Sequence, residues 1–263
     1  MTAAGPLAGR AALVTGVSRR AGIGFALARR LLADGAHVFV QSWAPHDAEQ
    51  PWGAEPDGVQ AVLDALGGTS DRLAHAAVDL AEPEAATQLV DEVVERFGVI
   101  DVLVANHARS SEQDLEHLTA DELDRCWAVN ARGSLLLAQR FAARHDDARP
   151  GGRLVLFTSG QHLGPMWNEL PYAVTKGAIH QMTLSLADHL ADRGITVNAV
   201  NPGPTDTGWA SPELVASLGR RLPNKRWGQP DDVANLVAFL ASDQSAWITG
   251  QVLNSEGGFR RWG

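Results

Sequence analysis

The sequence predicts an α/β fold: a single domain over residues 1–263, built as a doubly wound parallel sheet with helices on both faces. Three observations predict it. Short apolar runs rich in Val and Leu alternate with longer segments whose apolar residues return every three or four positions. The short runs are close to uniformly apolar, as strands buried on both faces require. The chain has 263 residues, 45% of them apolar, enough for one large core, and no break in composition asks for a second domain.

The elements follow in order. Residues 11–15 read as the first strand, and a glycine-rich turn leads from it into a helix ending near Ala33. Residues 36–40 form the second strand, and 43–57, polar and Pro-rich, a long loop. A third strand at 73–79 precedes an amphipathic helix over 84–97, and a fourth at 101–105 precedes another over 121–144. The fifth strand is 153–158, a helix opens around Tyr172, and the sixth strand is 195–200. Residues 203–229, with Pro204, Pro212 and Pro223, read as a second long loop, and 247–253 as the final strand. Loops of that length in a compact domain tend to cover a site, so 203–229 is either a substrate lid or a tolerated surface insertion. Strands of this kind place ligands beyond their carboxyl ends, where functional residues are expected.

Composition excludes several functions. A formal net charge of -9 disfavours nucleic acid, whose backbone is held by clustered Lys and Arg. Cys126 is the single cysteine, so neither an internal disulfide nor a thiolate metal site is expected, and a reducing cytoplasm is the expected location. Residues 1–10 lack a signal-peptide pattern, and no segment approaches the roughly 18 apolar residues of a membrane span. No Cys/His cluster stands at metal-ligand spacing, and His46 with Asp47 is too little to predict a metal.

The turn Thr15-Gly16-Val17-Ser18-Arg19-Arg20-Ala21-Gly22-Ile23-Gly24 lies between a strand and a helix. There, glycines allow a tight turn and close approach of a pyrophosphate, which rests on the unsatisfied N–H groups of the helix start. The strand before it and the helix after it favour dinucleotide binding over a plain strand-to-helix turn. Cofactor choice is decided after the second strand, where NAD sites offer an acid to the ribose. The run Phe39-Val40-Gln41-Ser42-Trp43 offers none, while Arg19 and Arg20 can pair with a 2′-phosphate. NADP(H) is favoured, and NAD(H) remains open should the arginines be solvated.

Tyr172 and Lys176 stand four apart in Tyr-Ala-Val-Thr-Lys, on one face of a helix, and Tyr172 is the only tyrosine. A phenol ionises near pH 10, and a neighbouring ammonium lowers that value into a useful range. Ser159 closes the fifth strand 13 residues before Tyr172, placing a hydroxyl where a substrate carbonyl can be held.

These residues resemble the short-chain dehydrogenase/reductase family over nearly the whole chain. The resemblance matches the family's active-site Asn, Ser, Tyr and Lys to Asn130, Ser159, Tyr172 and Lys176. It also matches cofactor-binding positions to Asp79 with Leu80, to Asn106 in Ala105-Asn106-His107-Ala108, and to Pro202, Gly203 and Thr205. It implies that Tyr172 is the general acid in reduction and that Lys176 depresses its pKa and bonds the nicotinamide ribose. It further implies that Ser159 holds the carbonyl, that Asn130 supports a proton relay through water, and that backbone groups at 200–205 hold the carboxamide. A homotetramer is implied as well. Two departures stand out: the glycine turn is two residues longer than the usual pattern, and His107 brings an imidazole to a position that is either backbone-only or proton-transferring. The longer turn is similar to that of enoyl-thioester reductases, but the four-residue Tyr–Lys interval and Ser159 favour carbonyl reduction. The nearest branch in pattern is the 3-oxoacyl-thioester reductases; a non-enzymatic NADP(H) sensor would have lost Tyr172 or Lys176.

Gln161, His162 and Trp167 follow Ser159, and Trp209 lies in the expected lid, so these four with Ser159 are the predicted substrate contacts. Trp167 and Trp209 serve equally well as core or subunit-contact residues.

Overall fold

The computed structural model describes residues 5–149 and 151–262. The outermost positions of the predicted 1–263 domain, and Pro150, lie outside the described residues. In chain order the elements are β1 (Ala11–Val14), α1 (Ile23–Ala33), β2 (His37–Ser42), α2 (Ala44–Glu49), α3 (Gly58–Ala65), β3 (Leu73–Ala77), α4 (Ala85–Phe97) and β4 (Val102–Ala105). Then follow α5 (Ala120–Cys126), a π-helical turn (Trp127–Gly133), α6 (Ser134–Arg144), β5 (Arg153–Phe157), α7 (Leu170–Leu190), β6 (Thr196–Asn201), α8 (Pro212–Gly219), α9 (Pro230–Ala241) and β7 (Val252–Asn254).

The seven strands form one parallel sheet in the order β3-β2-β1-β4-β5-β6-β7. Alternate residues face opposite layers. Ala12, Val14, Val38 and Val40 pack with α1 and α9 on one side, while Leu13, Phe39, Leu103 and Leu154 pack with α4, α6 and α7 on the other. Both layers are apolar, and each fully buried Leu or Val contributes about 1.5–3 kcal/mol. The order reverses between β1 and β4, opening a crevice at their carboxyl ends. Among the described residues, no helix is long and apolar enough to cross a membrane.

Three expectations change. Both segments read as long loops contain helices: α2 lies within 43–57 and α8 within 203–229. Pro45 and Pro212, two of the prolines that suggested loops, sit at helix starts, where a missing N–H costs nothing; Ser211 caps α8 by accepting from the Leu214 amide. The ends of the second segment are pinned by a bridge between Thr205 and Gly228, so it leaves and rejoins the body at one point. The helix expected over 121–144 is interrupted by the π turn, Trp127–Gly133, which contains Asn130. The last strand is only Val252–Asn254: Trp247 is 99% exposed, and Ile248 and Thr249 reach β6 through Asn198 and Val197 instead of a ladder.

Candidate active site

A cavity of about 1270 Å³ runs across the carboxyl ends of the strands, from the glycine turn to α7, α8 and the C-terminal segment. At the first end, Gly16 has φ +74°, and a Cβ there would stand 2.9 Å from the His107 Cα. A Cβ on Gly24 would stand 2.2 Å from the Gly16 carbonyl oxygen, so α1 packs directly on the turn. Gln41 braces it, accepting from the Gly16 amide at 2.9 Å and donating to the Val78 carbonyl at 2.6 Å. The Ser18 hydroxyl accepts from the Trp43 amide. No side chain caps α1 at Gly22, which leaves its first-turn N–H groups available to an anion. Gly16, Ser18, Gly22, Ile23, Gly24, Trp43, Asp79, Leu80, Asn106, Pro202, Gly203 and Thr205 all line the cavity. Asp79 turns the chain by accepting from the Ala81 amide, and the Asn106 amide donates to the Thr15 and Gly16 carbonyls.

Two predicted cofactor residues stand elsewhere. Arg20 points outward into an ion pair with Glu55 at 2.5 Å and with Asp57 at 3.0 Å. Ser42 is buried against His75, 2.8 Å away, on the β3 side of the sheet. Arg19 does face the cavity, held by Asp47 at 3.1 Å and the Thr207 carbonyl at 3.1 Å, with its guanidinium over Trp52. Asp47 corrects a further expectation. No acid follows β2 in the immediate sequence, yet α2 folds this carboxylate back to the cavity wall.

His107 is buried, with Nδ1 2.7 Å from the Thr15 hydroxyl and Nε2 3.1 Å from the Val129 carbonyl. Burial, helped by the nearby Lys176 charge, pushes it down to about 3. A neutral ring that donates from Nε2 and accepts at Nδ1 satisfies both contacts, so His107 joins β1, β4 and the π turn and does not carry a mobile proton.

At the other end, α7 presents Tyr172 and Lys176, with the Lys176 amine 5.4 Å from the Tyr172 ring centre. The amine donates to the Phe157 carbonyl at 2.8 Å, while the Thr158 hydroxyl donates to the Lys176 carbonyl. Burial pushes Lys176 down to about 7. The phenol moves opposite to expectation. Burial raises Tyr172 to about 12, the Ser159 hydroxyl partly offsets this, and the Glu169 carboxyl adds to it. Lys176 is not among the groups that set the value of the resting phenol.

The Asn130 side chain is spent on structure. It accepts from the Arg109 amide at 2.6 Å and donates to the Arg109 carbonyl and the Thr175 hydroxyl, each at 3.0 Å. It therefore ties the β4 loop to α7 and does not reach the cavity wall.

Of the predicted substrate contacts, Ser159 and Trp209 line the cavity, the latter donating to the Thr205 carbonyl. Gln161 turns inward to Thr158, His162 packs on His180, and Trp167 is 69% exposed away from the wall. Sequence reading missed Arg109, clamped by Glu122 at 2.9 and 3.0 Å, and Met166, Leu218, Phe259 and Arg261. Gln41 had one legible signal, a lone amide inside an apolar strand; the C-terminal wall had none. Cys126, pushed up to about 12 by burial and by Glu122, is a thiol and not a nucleophile. Among the described residues, no group of His, Cys, Asp or Glu is placed to hold a metal.

The family model described as enoyl-(acyl carrier protein) reductase matches residues 16–260. An uncharacterized oxidoreductase of Bacillus subtilis, YjdA, is 41% identical over 95% of this chain and 96% of its own length. Two solved structures are similar throughout. One is LugOII, described as a promiscuous reductase catalysing keto-reduction at C1 during lugdunomycin biosynthesis, at 38% identity and TM-score 0.82, covering 96% of this chain and 98% of its own. The other is the angucycline C-6 ketoreductase LanV with bound NADP, at 33% identity and TM-score 0.83, covering 97% and 96%. The fold and site define an NAD(P)-dependent oxidoreductase on a Rossmann-type sheet. The chain belongs to the short-chain dehydrogenase/reductase family.

Proposed function

We propose that this chain transfers a hydride between NADP(H) and a ketone or secondary alcohol, working as a carbonyl reductase. The observation that carries the reading is one continuous cavity with the glycine turn and Arg19 at one end and Ser159, Tyr172 and Lys176 at the other. The cofactor fits the residues present: Gly16 and Gly24 leave a cradle that a Cβ would fill, and Gly22 leaves α1 uncapped toward it. Gly16, Ser18, Gly22, Ile23 and Gly24 would hold the pyrophosphate, Asp79, Leu80 and Asn106 the adenosine side, and Pro202, Gly203 and Thr205 the carboxamide. Arg19 would exchange its Asp47 partner for a 2′-phosphate. When bound, the nicotinamide supplies or takes up the hydride.

The chain's own residues handle the proton and the oxygen. The Tyr172 hydroxyl donates its proton to the carbonyl oxygen in reduction and accepts it in oxidation. The Ser159 hydroxyl donates to the same oxygen as charge develops on it. Lys176, fixed by the Phe157 carbonyl, stabilises the phenolate as it forms and would bond the nicotinamide ribose. Asn130 acts as a positioning residue, locking the β4 loop against α7 through Arg109 and Thr175.

The apolar wall of Trp209, Met166, Leu218 and Phe259 supports a carbonyl carried on a hydrophobic framework, as do the ketoreductase relatives. The assembly is proposed to be a homotetramer, supported by exposed Trp127, Leu135, Leu184 and Trp247 on the helical faces and beside β7.

The test is NADPH consumption with ketones, 3-oxoacyl thioesters and enoyl thioesters, NADH in parallel. Carbonyl-dependent turnover is expected, with kcat falling about 10²–10⁴-fold in Tyr172→Phe while NADPH binding persists. Turnover of enoyl thioesters alone would overturn the reaction assignment, and binding without turnover would identify a cofactor sensor.

A further inference from the structure

Arginine use in this chain divides sharply. Fifteen arginines, from Arg10 to Arg261, engage carboxylates. Arg72 and Arg132 donate to the Leu32 and Ala81 carbonyls. Arg220, Arg221 and Arg260 alone make no side-chain hydrogen bond or ion pair among the described residues, and the same three line one small pocket of about 370 Å³, together with Ser217.

The three come from different places. Ser217 lies on α8, Arg220 and Arg221 follow that helix, and Arg260 comes from the C-terminal segment, joined by its amide to the Arg221 carbonyl at 3.0 Å. A cation at the end of α8 suits the helix dipole, which accounts for Arg220 but not for a tail arginine brought beside it. Gathering three like charges is unfavourable, and a chain of net charge -9 has carboxylates in excess to pair with them. Arg221 also lines the main cavity, so this side chain stands between the arginine pocket and the cavity that holds Ser159 and Tyr172.

We infer that Ser217, Arg220, Arg221 and Arg260 form an anion subsite that receives a phosphate group on the tail of the carbonyl substrate. Guanidinium forks match phosphate oxygens in pairs, and the Ser217 hydroxyl supplies one more donor. The substrate class is then a ketone with an apolar body, its carbonyl at Tyr172 and its phosphate beyond Arg221. This rests on the carbonyl-reductase reading above.

Two probe pairs test it, each a ketone with and without phosphate: acetoacetyl-coenzyme A against acetoacetyl-N-acetylcysteamine, and the phosphate monoester of 6-hydroxy-1-tetralone against the free phenol. The expected result is a kcat/KM advantage of about tenfold or more for the phosphate-bearing member of at least one pair. The advantage should shrink as salt rises from about 0.05 to 0.5 M. It should also fall to within about threefold in Arg220→Gln/Arg260→Gln, with NADPH titration and melting confirming that the variant is folded. The salt series on the unaltered chain gives a second readout should that variant fail to fold. Inorganic pyrophosphate separates a substrate tail from a free anion: changed turnover of the neutral ketones by pyrophosphate, with no advantage in either pair, would overturn the tail assignment. Equal turnover within both pairs, or an advantage that survives both salt and substitution, overturns the inference while the carbonyl-reductase reading stands. No turnover of any ketone removes both.

Discussion

The two ends of the cavity are built differently. The glycine-turn end is made of backbone: strand termini, a helix start, and buried polar side chains such as Gln41, Thr15 and His107, each holding a neighbouring loop by short hydrogen bonds. The Tyr172 end is made of side chains from segments far apart in sequence: the β4 loop, α7, α8 and the C-terminal residues. The first end can bind only what its fixed amides admit. The second can be changed residue by residue without disturbing the sheet, which teaches how one scaffold keeps a cofactor while its substrate varies.

The sharpest break of that contrast is Gly24→Ala. Its Cβ would meet the Gly16 carbonyl oxygen at 2.2 Å, a backbone atom that cannot move aside cheaply. A loss of about 3 kcal/mol in stability is expected, with NADPH affinity falling alongside, read by denaturant unfolding and fluorescence titration. His107→Ala should cost about 1–3 kcal/mol, because the Val129 carbonyl and Thr15 hydroxyl lose a buried partner. Its pH–rate profile above pH 5 should keep its shape, since His107 sits at about 3; a lost limb near neutrality would show that the ring transfers protons after all.

A smaller effect is expected of Arg19→Ala: the NADPH over NADH preference in kcat/KM should drop about tenfold. An unchanged ratio would assign Arg19 to its Asp47 and Thr207 contacts alone. The subtlest prediction concerns pH. Lys176 is depressed to about 7 in the folded chain against an ordinary 10.5, so between these values the unfolded chain binds the extra proton and stability rises with pH. Tyr172, raised to about 12, contributes stability that is complete below pH 10 and lost above it. Melting of Lys176→Met across pH 7 to 10 should therefore lack the rise that the unaltered chain shows.

Much of the sheet was legible because parallel strands buried on both faces must be apolar throughout, and the periods of two and three to four residues then declare themselves. The helices α2 and α8 were not, because Pro45 and Pro212 signal a chain break equally well at a loop or at a helix start; only the helical turns that follow decide. Ser159, Tyr172 and Lys176 could be found because strand end and helix periodicity put them in order along the chain. Arg20 and Arg19 are adjacent and looked equivalent. One turns to Glu55 and the other to the cavity, a choice made by partners 28 and 35 residues away.

By itself, then, the sequence determined the sheet, the placement of the glycine turn and the order of the polar residues at strand ends, because these follow from local periodicity and backbone freedom. Tertiary structure alone decided that Asp47 folds back beside Arg19, that Asn130 is spent on Arg109 and Thr175, that burial sets Lys176 and Tyr172 against their ordinary values, and that Arg260 meets Arg220 and Arg221. Each of these depends on which distant groups share a low-dielectric or crowded space, and that is a property of the packed chain and not of any window along it.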